Sequence, residues 1–194
     1  MKDAVLLIGD SPFLANIEEQ VHYLLELYPS IGINNAIRKY DITSHIFQDM
    51  KFINLTNKYP NIKTISLYMY GDMIEKENKE LYDSYTFNFK LNTAQDIIKD
   101  NRLAWCGFTH DYAISYCIMK GYKSVVLIGT ADFVGSSHYL TNETFNPAEK
   151  FVEHSKKFIE EICGKRIEVC TLNPESTLKI PRINMEELFY KNRK

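Results

Sequence analysis

The stretch at residues 4–14 constrains the fold most strongly. Five consecutive apolar residues, Ala4–Ile8, end at Gly9, and Ser11 and Pro12 follow soon after. A short apolar run bounded by turn residues is typical of a strand in a parallel sheet, because both faces of such a sheet are covered. Ser11 suits the N-cap of a helix, and Pro12 suits its first position. We therefore expect a buried strand, a turn with outward-facing N–H groups, and a helix start that together favour a phosphate group.

Further apolar or alternating segments predict five more strands, at residues 30–36, 44–49, 62–69, 124–129 and 167–172. Helical patterns lie between them, and residues 112–120 have so few polar positions that we expect this helix to be buried. We interpret the charged and aromatic residues 75–89 as a surface excursion, with a helix at 75–81. Strands alternating with helices predict an α/β fold, with a mostly parallel sheet of about five to six strands and helices on both faces.

Length and composition exclude several classes of protein. The 194 residues fit a single domain spanning residues 1–194. Lysine and arginine number 23 and acidic residues number 25, and no basic cluster alternates with aromatic residues, so we do not expect nucleic acid as a partner. No apolar run approaches a transmembrane segment and no signal peptide is evident, so we expect a cytoplasmic protein. The four cysteines have no CxxC spacing and are expected to be reduced thiols in or near the core.

Polar residues follow several predicted strands, at the edge where open parallel sheets bind ligands. The residues that we expect to line a ligand are Gly9, Asp10, Ser11, Asn34, Asn35, Asp49, Thr109 and His110. Asp132 and His138 lie in the polar loop after residues 124–129 and are the candidates for catalysis. Each of these residues also has a purely structural interpretation, and Thr109 suits the N-cap of the buried helix. We interpret His22, His45 and His154 as structural or surface residues.

Five segments occur in the same order in one group of proteins: LLIGDSPFL, INNA, THDYAISYCIMKGYKSVVLIG, ADFVGSSHY and VCTLNPESTL. In this ordered set the chain resembles the bacterial sialyltransferases of glycosyltransferase family 42 and a related domain family that includes motility-accessory and pterin-pyrophosphokinase-like proteins. The resemblance covers residues 5–178. It implies a Rossmann-like domain that binds a CMP-sialic-acid-type donor. Such a domain transfers the sugar to a glycan or small-molecule acceptor by inversion, without a metal or a cofactor.

The resemblance also assigns roles to individual residues. It implies that Asn34 or Asn35 bonds to the nucleotide and that Asp132 occupies the family's acidic position. The family's Gly-Asn-Gly-Pro-Ser turn reads GDSPF at positions 9–13. Asp10 thus replaces an amide, and its carboxylate would repel a phosphate unless it turned to the ribose or the base.

The region after residue 132 departs from the family pattern. His138-Tyr139 matches a His-Tyr pair, but the family's general-base histidine is replaced within the sequence Leu-Thr-Asn-Glu at positions 140–143. A proton acceptor with a pKa near neutral is needed there, and His138, His110 or Glu143 could substitute. We expect residues 135–146 to form only a short lid-like loop, and we expect no counterpart of the family's membrane-binding tail. A catalytically reduced nucleotide-binding module is therefore an alternative.

The GDS sequence at positions 9–11 also matches the turn of SGNH-type esterases, with Ser11 as the nucleophile. Such an enzyme needs an Asp-x-x-His near the end of the chain and a Gly-x-Asn-Asp block for its oxyanion hole. The sequence contains neither, so the esterase is a second alternative. The sequence leaves open the donor sugar, the acceptor and the oligomeric state, including a homo-oligomer.

Overall fold

A parallel sheet lies at the centre of the computed structural model, which describes residues 4–74, 79–88, 102–104, 108–133 and 148–192. In these ranges the sheet has eight strands in the order β6-β5-β4-β3-β2-β1-β7-β8, and every adjacent pair is parallel. The strands are β1 (Ala4–Ile8), β2 (Ser30–Ile33), β3 (Ser44–Ile46), β4 (Lys63–Leu67), β5 (Tyr82–Asn88), β6 (Arg102–Ala104), β7 (Ser124–Ile128) and β8 (Glu168–Thr171). The expected α/β, Rossmann-like architecture is confirmed.

Helices cover both faces of this sheet, as expected. They are α1 (Glu18–Leu27), α2 (Ile53–Thr56), α3 (Thr109–Met119), α4 (Glu149–Ile162) and α5 (Met185–Asn192). Alternating residues of β1 pack into separate layers: Leu7 shares a core cluster with Ile114 of α3, whereas Leu6 shares one with Leu24 of α1 and Leu188 of α5. Because both faces of β1 are covered, its uninterrupted apolar sequence is the one a parallel strand needs.

The position of β1 defines the topology that matters for ligand binding. Leu7 pairs with Ile31 of β2 on one side and with Leu127 of β7 on the other. The chain adds β2 to β6 in one direction and then returns to place β7 on the opposite side of β1. The boundary between β1 and β7 is thus a topological switch point. Ligands of open α/β sheets bind beyond the carboxyl ends of the strands at such a point.

The sheet is wider than predicted, because the expected five to six strands become eight. The difference begins within the segment interpreted as a surface excursion with a helix at 75–81. Lys79–Leu81 forms only a 3-10 turn, and β5 then pairs with β4; residues 75–78 lie outside the described residues. The sequence of β5, YDSYTFN, is rich in aromatic and hydroxyl-bearing residues that favour strands. It contains no continuous apolar run, which explains why the prediction missed it.

Helix α3 is as deeply buried as its composition predicts, since every residue from 109 to 118 is buried. Its start differs from the prediction. The N-cap is Phe108, and Thr109 is already the first helical residue, so the expectation that Thr109 caps the helix is wrong. The carboxylate of Asp111 accepts a hydrogen bond from the Phe108 N–H at 3.3 Å. An acid in the first turn thus satisfies a donor that the helix itself leaves unpaired.

None of the described helices is long and apolar enough to cross a membrane. Three cysteines within the described ranges, Cys117, Cys163 and Cys170, are free thiols, as expected. Burial raises the pKa of the Cys117 thiol, which keeps it protonated and unreactive. Cys106 lies outside the described residues.

Candidate ligand-binding site

The turn after β1 packs directly against the end of β7. The Gly9 N–H donates to the Ile128 carbonyl at 3.0 Å, and the Ser11 N–H donates to the Gly129 carbonyl at 2.9 Å. A Cβ atom at Gly9 would lie 2.2 Å from the Gly129 carbonyl oxygen, so only glycine fits. The prediction of outward-facing N–H groups is therefore wrong for Gly9 and Ser11, whose donors join the two loops at the switch point.

Ser11 is an N-cap, as predicted, but of a much shorter helix. Its hydroxyl oxygen accepts a hydrogen bond from the Phe13 N–H at 3.2 Å, and Pro12 occupies the first helical position. The helix that it caps is the 3-10 segment Pro12–Asn16, and α1 begins only at Glu18. A five-residue 3-10 segment carries little of the macrodipole expected at this position. This turn thus lacks the features that predicted a phosphate site.

Asp10 is linked by hydrogen bonds to the end of β2. The Asn35 amide donates from Nδ2 to Asp10 Oδ2 at 3.3 Å, and Arg38 donates from Nε to Asn35 Oδ1 at 3.1 Å. Asp10 is only 8% exposed, whereas Arg38 is exposed. The carboxylate that interrupts the family pattern is therefore connected through one amide to a cation.

Asn34 adopts a left-handed backbone conformation at the end of β2, with φ of 53°. His45, predicted to be structural or on the surface, is fully buried and donates from Nε2 to the Asn34 carbonyl at 2.7 Å. Its Nδ1 lies 3.1 Å from the hydroxyl of Thr56, which in turn lies 3.0 Å from that of Thr64. This buried series holds Asn34 in place. The Asn34 side-chain oxygen is buried and has no partner among the described residues.

Two polar residues follow β3 at the same edge of the sheet. The Gln48 Nε2 atom is buried without a partner in the described part of the chain, while its carbonyl accepts a hydrogen bond from the Tyr70 hydroxyl at 2.9 Å. Asp49 is exposed and precedes the 3-10 segment Met50–Phe52, without a side-chain hydrogen bond to it. Gln48 therefore presents a buried donor that no described residue satisfies, whereas the predicted residue Asp49 is exposed to solvent.

Asp132 follows β7 and is the most unusual group at this edge. It is 3% exposed, and neither of its carboxylate oxygens has a hydrogen-bond partner within the described ranges. Burial raises the pKa of Asp132 to about 6; the Ser11 and Asn173 side chains oppose that rise but do not complete a hydrogen bond with it. Buried carboxylates are normally paired, because desolvating an unpaired charge is costly. Asp132 is therefore a candidate for chemistry rather than for stability.

The loop that carries Asp132 is strained. Gly129, Ala131 and Phe133 have φ values of 62°, 55° and 52°. Glycine adopts this left-handed region freely, but each non-glycine residue there costs on the order of 1–3 kcal/mol. The two non-glycine residues flank Asp132, so the strain is concentrated where the carboxylate is held inward.

His110 occupies a separate buried network on the other side of Phe133. Its ring stacks on Phe108 at a centroid distance of 5.0 Å and meets the Phe133 ring edge-on at 5.4 Å. Its Nε2 lies 2.9 Å from the Ser155 hydroxyl, which donates to Asp111. Burial lowers the pKa of His110 to about 3, so the ring is neutral near pH 7. His110 and Thr109 are both buried in α3, whereas Asp10 accepts a hydrogen bond from Asn35, which follows β2.

The structure thus brings some predicted residues together and separates others. The turn of Gly9, Asp10 and Ser11 joins Asn35 and the strand that leads to Asp132. His138 and the lid-like loop at 135–146 lie outside the described residues. Residues at this edge that the candidate set omitted are Arg38, Gln48 and Asn173. Gln48 and Asn173 follow β3 and β8, so the same strand-end rule identifies them, whereas the exposed Arg38 carries no such signal.

The fold is that of a Rossmann-like α/β protein, and the candidate ligand-binding residues lie at the switch point of its parallel sheet. Among the described residues, no group of three or more histidine, cysteine or acidic side chains is placed to hold a metal ion. No family model matches the sequence, and no curated protein matches it significantly.

A solved structure does share this fold. The α-2,3-sialyltransferase from Campylobacter jejuni, in its apo form, matches 94% of this chain and 81% of that chain, with a TM-score of 0.51. The two sequences are 17% identical, so the match shows the fold alone. The chain has a glycosyltransferase-like fold, in agreement with what the sequence resemblance implied.

Proposed function

We propose that this protein is a glycosyltransferase that binds a nucleotide-activated sugar of the CMP-sialic-acid type at the β1/β7 edge. The observation that carries the proposal is the buried carboxylate of Asp132 at the switch point, which has no hydrogen-bond partner among the described residues. Its raised pKa of about 6 suits a general base, which works best when its pKa lies near the operating pH. The sialyltransferase-like fold supports a sugar-transfer reaction over other uses of such a base.

The proposed reaction forms one bond and breaks another at the anomeric carbon of the sugar. The acceptor hydroxyl attacks from the face opposite the nucleotide phosphate, and the bond between the anomeric carbon and the phosphate oxygen breaks. Its electron pair leaves with the phosphate, and Asp132 takes the hydroxyl proton. The configuration at this carbon inverts. His110 is a poorer base, because burial lowers its pKa to about 3; His138 is the second candidate, on its match to the family's His-Tyr pair.

The nucleotide would lie across the ends of β2 and β3. Asn34 offers a buried oxygen and Gln48 a buried nitrogen, both without partners among the described residues. Together they provide a hydrogen-bond acceptor and a hydrogen-bond donor, which the base or the ribose could satisfy. Unsatisfied buried polar atoms are costly, so we expect a bound nucleotide to stabilise the fold.

Thermal unfolding with cytidine, uridine and adenosine monophosphates tests the nucleotide. We expect the cytidine nucleotide to raise the melting temperature most. If none of the three nucleotides changes the melting temperature, the proposal is contradicted. Incubation with CMP-sialic acid and a panel of glycan acceptors, followed by mass spectrometry, tests transfer. We expect a product of inverted configuration that still forms in the presence of EDTA, since the resemblance implies a reaction without a metal.

A catalytically reduced nucleotide-binding module is the second candidate. It is favoured by the absence of histidine from positions 140–143, where the family places its general base. This candidate predicts that the protein binds CMP but neither hydrolyses CMP-sialic acid nor transfers its sugar. Detection of either reaction would exclude it.

The local geometry gives the esterase alternative no support. The Ser11 oxygen caps the 3-10 helix, and His45 and His110 bond to Asn34 and Ser155 instead. A fluorophosphonate probe should leave Ser11 unlabelled. Labelling of Ser11 that is lost in S11A would revive the esterase.

A further inference from the structure

Arg38 ends a hydrogen-bonded series that leads from solvent to the turn after β1. We propose that Arg38 binds the phosphate group of the ligand at this edge. The nature of the ligand as a nucleotide rests on the proposed function, but the contact with a phosphate is argued from the geometry and charges of this chain.

The side chain of Arg38 is exposed, yet its orientation is fixed at one point. Its Nε donates to Asn35 Oδ1 at 3.1 Å. The Nδ2 atom of Asn35 in turn donates a hydrogen bond to Asp10 Oδ2. The two Nη groups have no partner among the described residues. Arginine binds oxyanions through a planar set of parallel N–H donors. A guanidinium already held at Nε loses less freedom when its terminal nitrogens bind a phosphate.

The two carboxylates at the carboxyl ends of the strands mean that a phosphate can bind here only beside a cation. Asp10 and Asp132 are 8% and 3% exposed, and either carboxylate, when charged, would repel a phosphate. The backbone N–H groups of Gly9 and Ser11 donate to carbonyls at the end of β7, and the helix that follows is a 3-10 segment of only five residues. A phosphate that enters here therefore needs a side-chain donor with a positive charge.

Other cations close to this edge are engaged elsewhere. Lys39 pairs with Glu18, Lys51 lies over the ring of Phe52, and Lys156 lies over the ring of Phe133. Arg38, in contrast, is connected to Asp10 by hydrogen bonds through the Asn35 amide. Arg38 thus offsets the negative charge of Asp10. This explains how the chain accommodates an acid where the family that it resembles has an amide.

Titration calorimetry with CMP, with neutral cytidine and with inorganic pyrophosphate tests the contact. The variants are R38Q, R38K and the control R166Q. Arg166 is also exposed but lies two residues before β8, at the amino ends of the strands and away from the candidate site.

We expect R38Q to weaken CMP binding about tenfold to a hundredfold, the range of a hydrogen bond to a charged group. We also expect it to leave cytidine binding unchanged and to abolish the response to pyrophosphate. R38K should be intermediate, and R166Q should behave as the unaltered protein.

The other possible results would contradict the phosphate contact of Arg38, the nucleotide function, or both. If R38Q keeps the advantage of CMP over cytidine, or loses both ligands equally at an unchanged melting temperature, Arg38 is not the phosphate contact and the proposed function stands. If the unaltered protein binds pyrophosphate through Arg38 but no nucleotide, the contact stands and the nucleotide function fails. If it binds neither pyrophosphate nor any nucleotide, both ideas fail.

Discussion

Two buried aspartates near Phe133 differ in how their charge is accommodated. Asp111 is fully buried, and its oxygens accept hydrogen bonds from the Ser155 hydroxyl and the Phe108 N–H. Asp132 is 3% exposed, and neither oxygen has a partner in the described part of the chain. The first carboxylate is built into the start of α3. The second lies in a strained loop that holds it at the switch point of the sheet.

The difference separates a structural acid from a candidate functional one. A buried acid that is fully hydrogen-bonded fixes neighbouring elements, and removing its partners costs stability. A buried acid without partners lowers stability and is retained where chemistry needs its raised pKa. Opposite responses to mutation should therefore distinguish Asp132 from the network around Asp111.

The largest expected effect is on sugar transfer. D132N should lower the transfer rate by about 10²–10⁴-fold, the usual contribution of general base catalysis, while CMP binding is retained. The control is D41N, because Asp41 is exposed. Full activity in D132N would remove Asp132 from the mechanism and leave His138 as the candidate.

The same substitution should make the protein more stable. The pKa of Asp132 is raised from 3.8 to about 6 by burial, so the folded state holds a proton that the unfolded state loses between these values. The free energy of unfolding should therefore fall as pH rises from about 4 to about 6. Above pH 7, D132N should gain up to about 3 kcal/mol, at 1.36 kcal/mol per pKa unit. Urea unfolding at several pH values measures this, and parallel pH profiles for D132N and D41N would contradict it.

The paired network should respond in the opposite direction. S155A leaves Asp111 without one donor and the His110 Nε2–H without its acceptor. We expect a loss of about 1–3 kcal/mol in the free energy of unfolding. E153A provides the control, because Glu153 is exposed on the same helix. Equal stability of the two variants would show that the network contributes little.

A third aspartate gives the smallest effect. Burial raises the pKa of Asp83, but hydrogen bonds from Lys63, Lys120 and Tyr116 lower it below its usual value overall. Such a group stabilises the fold above its ordinary pKa and loses this contribution as pH falls through the lowered one. Since Asp83 is partly exposed, D83N should cost about 1 kcal/mol at pH 7 and nothing in strong acid. A cost that persists in acid would mean that packing, rather than charge, holds β5.

The sequence predicts the central strands because their apolar character depends only on local composition. β1 and β7 are recognisable because both of their faces are buried, whereas β5 was missed because its sequence, YDSYTFN, contains no continuous apolar run. The polar residues at strand ends were also predictable, since topology brings those ends together. The hydrogen bonds from Arg38 to Asn35 and from Asn35 to Asp10 could not be predicted, because they depend on how loops distant in sequence meet. The same holds for the Asp132 oxygens, which have no partner in the part of the chain that the structure describes.

The most direct test of the distinction between the two acids is a ¹³C NMR titration of the Asp132 carboxyl carbon, with and without CMP. The structure predicts a pKa of about 6 in the free protein. Bound CMP should raise that pKa further, because its phosphate adds negative charge to the site. A pKa near the ordinary value of 3.8 that is insensitive to CMP would show that Asp132 is neither desolvated nor part of a nucleotide site.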